Sequence, residues 1–167
     1  METNTTPQEL ITSMIITAWD KQNESLYKLL DALPDEQLTM EIAPGRNTGI
    51  YLLGHLIAVS DGMLPLLGFG ERLFPELQNI FIANPDKSGL KKPGIDELKA
   101  SLNVVNEKLG QCIRSLSPAQ WLERHTAISE EDFVKEPHRN KLNVIINRTN
   151  HMANHIGQML LLKSGVA

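Results

Sequence analysis

Apolar residues recur at helical spacing in four long runs, and no stretch shows the alternation of a half-buried strand, so the pattern predicts an all-α protein. The first run opens on Thr6-Pro7-Gln8-Glu9: a capping hydroxyl, a proline at the first helical position and a glutamate three residues after the cap. Leu10, Met14, Ala18, Leu26, Leu29, Leu30 and Leu33 carry its stripe, and Pro34 stops it. The second run starts at Asn47 or Thr48, after Pro44-Gly45, and reaches Leu67. At about 100° per residue, Thr48, Leu52, His55, Val59 and Leu66 share one inward seam, and Asp61 falls off it. A third helix is expected over residues 95–116, with Asp96 and Glu97 in the turn where carboxylates complement the helix dipole. A fourth is expected over 141–163, with Gly165 as a left-handed cap. Its core arc is Leu142, Ile145, Met152, Ile156, Met159 and Leu160. His151 and His155 fall at the edge of that arc, beside Val144, Arg148, Gln158 and Leu162.

The connections predict the topology. Residues 68–93 are broken by Gly68, Gly70, Pro75, Pro85, Gly89 and Pro93, with room for a short helical piece at 76–81. A connection of about 25 residues far exceeds the 2–8 of an antiparallel hairpin and is ample to travel back along a helix about 30 Å long. The expectation is a single domain over 1–167, a four-helix bundle in up-down-down-up order with a long crossover between helices two and three. The stretch 117–139, with Pro118 and Pro137, is expected to be irregular.

Composition narrows the functional classes. A chain of 167 residues can bury a single core without staples. Cys112 is the sole cysteine, which rules out an internal disulfide and points to a reducing, cytoplasmic setting. Its place in the series Leu98, Leu102, Val105, Leu109, Cys112, Leu116 makes it a small core residue. The opening METNTTPQEL lacks the basic and apolar segments of a secretory signal. The most apolar region, 50–69, is interrupted by His55, Asp61 and Pro65 and reads as a buried helix rather than a membrane span. A net charge of −4 with dispersed signs argues against nucleic acid, which needs a concentrated basic surface.

The candidate chemistry lies in NHMANHIGQMLLLK, where His151 and His155 stand one helical turn apart. Side chains at i and i+4 share a face, and metal–nitrogen bonds of about 2.0–2.1 Å allow two such imidazoles to meet at one ion. His55, on a separate apolar helix, is the third candidate, because an isolated ring there needs a partner. Three histidines from two helices leave further coordination positions open. His125 and His138 align with nothing and are expected to be exposed; Trp19 and Trp121 read as packing anchors.

These residues carry a resemblance over most of the chain to the DinB/YfiT-like superfamily of metal-binding four-helix bundles. The last helix of that family has a histidine, three residues, a second histidine, one residue, then Gly-Gln, matched by His151-Met152-Ala153-Asn154-His155-Ile156-Gly157-Gln158. Its second helix has a histidine-leucine pair about seven residues after a Ser/Thr start, matched by Thr48 to His55-Leu56. The resemblance implies metal ligands at His55, His151 and His155, a divalent transition metal such as zinc or nickel, and the up-down-down-up bundle. It further implies chemistry of the thiol transferase type with a low-molecular-weight thiol and a small-molecule substrate, in a protein that forms homodimers. The chain departs from the family at Met152, Asn154 and Ile156, where relatives often carry an acidic residue, a histidine and an arginine.

Three neutral imidazoles leave the charge of an ion undiminished, which favours deprotonation of a bound thiol or water. A metal-dependent hydrolase is therefore the neighbouring enzymatic alternative, and a non-catalytic bundle or dimer stabilised by metal is the alternative from another class. Arg148, one turn before His151, reads either as a holder of a substrate carboxylate or as a solvated side chain. Tyr51, one turn before His55, reads either as lining the mouth of the site or as packing. Gln158 either supports a ligand ring or edges the core.

Overall fold

A computed structural model describes residues 5–164. Among them there are helices and no strand, only the isolated bridges Glu41–Thr48 and Arg124–Asn140. The elements are α1 (Pro7–Ala32), α2 (Asp35–Leu38), α3 (Gly49–Asp61), α4 (Met63–Leu67), α5 (Glu76–Phe81), α6 (Ile95–Ser115), α7 (Pro118–Trp121), α8 (Glu130–Lys135) and α9 (Lys141–Met159), followed by a 3₁₀ turn at Leu160–Ser164. Helix α9 packs against α1 and α3, and α3 packs in turn against α5 and α6. The core between them includes Trp19, Leu26, Leu53, Ile57, Leu98, Val105, Ile113, Trp121, Ile145 and Met159, all buried.

The starts of the long helices are written in the sequence. Thr6 and Glu9 form a reciprocal capping box, the threonine hydroxyl accepting from Glu9 N at 3.2 Å and the glutamate from Thr6 N at 2.7 Å. Thr48 caps α3 by accepting from Tyr51 N, and Asn140 caps α9 by accepting from Asn143 N. The short helix α5 occupies 76–81 as expected.

Several expectations are corrected. The second run is two helices, not one, because Pro65 has no N–H and its ring clashes with the carbonyl four residues back, so the helix breaks at Gly62. Leu10 and Met14 lie on the apolar stripe of α1 yet are exposed, at 53% and 62%, because periodicity marks a face without supplying a partner opposite each turn. After Met159 the chain tightens to about three residues per turn, which rotates the buried face so that Leu162 is buried and Leu160 exposed. Cys112 is half-buried rather than a core residue. The stretch expected to be irregular holds α7 and α8, each announced by a serine cap: Ser117-Pro118-Ala119-Gln120 is a second capping box, and Ser129 accepts from Asp132 N. His138 is exposed and His125 half-buried. The cap expected at Gly165 lies outside the described residues.

The long connection between α4 and α6 is tied to α3 along its length. Asp61, off the seam but fully buried, accepts from Leu73 N at 2.7 Å and Phe74 N at 3.0 Å. Tyr51 donates its hydroxyl to the Asn84 carbonyl at 2.7 Å. Asp86 accepts from Thr48 N at 2.6 Å and pairs with Lys92 at 2.6 Å. Buried backbone N–H groups and carbonyls in an irregular segment need such partners, and α3 supplies them. The segment that forms one wall of the site is thus held by the helix that carries His55.

Candidate metal centre

His55 comes from the middle of α3, and His151 and His155 from consecutive turns of α9. All three rings are half-buried and face one another. The Nε2 atom of His151 lies 3.2 Å from His55 Nε2 and 3.1 Å from His155 Nε2. The His155 ring stands at 81° to His55 and 87° to His151, so the rings converge by their edges instead of stacking.

Their outer nitrogens decide what the inner ones can do. His55 Nδ1 is 2.8 Å from the Phe81 carbonyl, which can only accept, so Nδ1 carries the proton and Nε2 presents a lone pair. His155 Nδ1 donates in the same way to Gln158 Oε1 at 2.7 Å, again freeing Nε2. His151 Nδ1 is buried with no partner among the described residues. The two lone pairs of His55 and His155 can be met by a proton on His151 Nε2, which serves only one of them at a time, or by a cation that takes all three nitrogens. With metal–nitrogen bonds of about 2.1 Å, ligand nitrogens are about 3.0 Å apart across a right angle and about 3.4 Å across a tetrahedral one. The separations of 3.1 and 3.2 Å fall inside that interval, so the donor set fits a transition-metal ion with vacant positions.

Burial sets the electrostatics. It depresses the His55 pKa, and it pushes that of His151 down to about 4, helped by the neighbouring His155, His55 and Arg148. Because the folded His151 resists the proton while the unfolded chain takes it up from its ordinary 6.5, the stabilising contribution is complete above about pH 6.5 and is lost as pH falls toward 4. Thermal melts of the metal-free protein are expected to show a falling Tm across that window, with a shallower fall in His151→Gln; identical slopes would contradict the assignment.

A cleft of about 440 Å³ opens beside the cluster, lined by His55, His151, Arg72 and Arg148 with Val59 and Leu66 as apolar wall. Arg148 is half-buried at its edge. Tyr51 is not among the lining residues: it is buried, its hydroxyl is engaged by Asn84, and its ring stacks at 12° behind His55 with centroids 6.4 Å apart. Met152 and Ile156 point into the core and Asn154 is exposed, so between Arg148 and His155 the last helix offers no other charged group.

A family model described as the DinB superfamily matches residues 18–159, a span containing all three histidines. The chain belongs to the DinB superfamily. No curated protein matches it. Within this DinB chain, three groups had left no trace in the sequence pattern. The Phe81 carbonyl that orients His55 is backbone and so has no residue signature. Arg72 sits in the glycine- and proline-broken stretch where periodicity fixes no direction. Gly54 lets the Phe81 ring pack directly on α3, where a Cβ would overlap it.

Proposed function

We propose that this DinB protein holds a divalent transition-metal ion, zinc or nickel, on His55, His151 and His155, and acts as a cytoplasmic metal-dependent enzyme of the thiol transferase type. The up-down-down-up bundle of the family is part of the same reading. The observation that carries it is the convergence of the three Nε2 atoms, two of them fixed as lone-pair donors by Phe81 and Gln158. A bound ion would supply Lewis acidity that lowers the pKa of a low-molecular-weight thiol, or of water, at an open position. The chain's own residues do the rest. Phe81 and Gln158 hold two rings in the ligating tautomer, Tyr51 backs the His55 ring, and Arg148 stands where a small-molecule substrate would enter beside His151.

The experiment is metal analysis of untagged protein beside His55→Ala, His151→Ala and His155→Ala. The parent is expected to carry close to one ion per chain and each variant to bind it at least about tenfold more weakly, since losing one of three ligands costs more than about 1.4 kcal/mol. Equal metal retention in all four proteins rejects the site. Turnover of electrophiles with stoichiometric consumption of thiol then identifies a transferase; product without thiol loss identifies a hydrolase; metal uptake without turnover identifies a non-catalytic bundle.

A further inference from the structure

The cleft beside the histidines has a charge imbalance that the metal reading does not explain. The chain carries 20 aspartates and glutamates against 16 lysines and arginines, yet among the described residues no carboxylate lines this cleft. Four half-buried arginines allow a direct comparison. Away from the site, Arg124 pairs with Glu130 at 3.6 Å and Arg139 with Glu136 at 3.0 Å. In the cleft, neither Arg72 nor Arg148 forms an ion pair among the described residues. Leaving a partly desolvated guanidinium without a counter-charge is costly, and two of them facing one cavity beside two imidazoles add mutual repulsion.

Arg72 is also held in place. Its Nη1 donates to the Ala58 carbonyl at 2.9 Å, and its guanidinium lies against Gly62, where an added Cβ would stand 2.7 Å from Nη2. The glycine at the break between α3 and α4 thereby lets the guanidinium approach the backbone closely. That single anchor uses one of five donors, and Nη2 has no protein partner among the described residues. Arg148, by contrast, makes no hydrogen bond to the described residues and projects from α9, three residues before His151. One anchored and one unbonded guanidinium, brought to the same cleft from different elements, suit an anionic ligand that the first receives and the second closes on.

We infer that Arg72 and Arg148 form an anion subsite, and that the small molecule processed at the three-histidine centre carries a carboxylate or phosphate group. The inference rests on the proposed function for what happens at the neighbouring centre, but the subsite itself does not need the metal. A cleft of about 440 Å³ suits a metabolite-sized molecule rather than a polymer. The apolar residues Val59 and Leu66, which line the same cleft, would cover its uncharged part.

Calorimetric titration of metal-free and zinc-loaded protein with inorganic phosphate and with succinate tests this, with uncharged succinamide as control. At least one of the two anions is expected to bind both forms, and the control neither; which anion binds more tightly separates a phosphoryl from a carboxylate ligand. Arg148→Gln, which removes no hydrogen bond among the described residues, is expected to weaken binding about tenfold with zinc content unchanged. Arg72→Lys, which keeps the charge but loses the fork, is expected to weaken it by a similar factor. Affinity unchanged in both variants, or binding by neither anion, overturns the subsite. So does an anion that binds only zinc-loaded protein and equally well in the variants, because it then sits on the ion. Loss of zinc in the histidine variants is read separately, so failure of the metal centre and failure of the subsite give different results.

Discussion

Loading with zinc or nickel is expected to raise the Tm of the protein by about 8–16 °C when free metal stands about a thousandfold above its dissociation constant. An ion that binds only the folded chain stabilises it by about 4 kcal/mol at that excess, and each kcal/mol moves the Tm of a domain of this size by about 2–4 °C. The gain should shrink by at least about 3–6 °C in each histidine-to-alanine variant, since a tenfold loss of affinity removes about 1.4 kcal/mol. His151→Ala is the most informative of the three, because its Nε2 lies between those of the other two rings. In the metal-free protein the same substitution removes a ring whose pKa is depressed, so the apo variant is expected to tolerate mild acid at least as well as the parent. Differential scanning calorimetry with and without metal measures both effects. Equal metal-induced shifts in parent and variants would place the bound ion elsewhere.

The second large effect separates two glycines on the site helices. Gly157 lies on the exposed face of α9 and a Cβ there meets nothing within 4 Å, so Gly157→Ala is expected to stabilise the protein by about 0.5–1 kcal/mol through helix propensity alone. Gly54 sits in α3 at the same nominal propensity cost, but an added Cβ overlaps the ring of Phe81, which is fully buried and cannot swing aside. Overpacking of this kind costs about 1–3 kcal/mol, which exceeds the propensity gain, so Gly54→Ala is expected to destabilise. Displacing Phe81 also moves the carbonyl that holds His55 Nδ1, and the variant should lose metal affinity together with stability. Urea unfolding and metal titration of the two variants read the pair. A Gly54→Ala protein as stable as Gly157→Ala would mean that the contact between α3 and α5 is loose.

What the sequence made legible was periodic or local. The starts at Thr6 and Thr48 were readable because each side chain bonds a backbone N–H three residues on, an interaction complete within one turn; the Asn140 cap is of the same kind and was not read. The histidine pair was readable because one helix turn fixes its spacing, and His55 because its own seam faces inward. The cost of relying on periodicity appears at Leu10 and Met14, apolar and in phase yet facing solvent, and at Leu160, where a change from α to 3₁₀ geometry moves the phase. Asp61 was set aside for lying off the seam, although a buried carboxylate is the natural acceptor for N–H groups of an incoming loop. Arg72 and the Phe81 carbonyl belong to a segment whose path is set by contacts with distant residues, and no window of sequence contains that information.

The fastening of the long connection between α4 and α6 to α3 bears on how such a scaffold can be diversified. Asp61, Tyr51 and Thr48 secure it through backbone groups of Leu73, Phe74 and Asn84 and through Asp86, so most of its side chains carry no anchoring duty. Exposed positions such as Glu71 and Gln78 are therefore open to drift or to deliberate randomisation while the tether stays intact. Sequence can thus vary along one strip of surface while the helices that carry the three histidines are inherited unaltered.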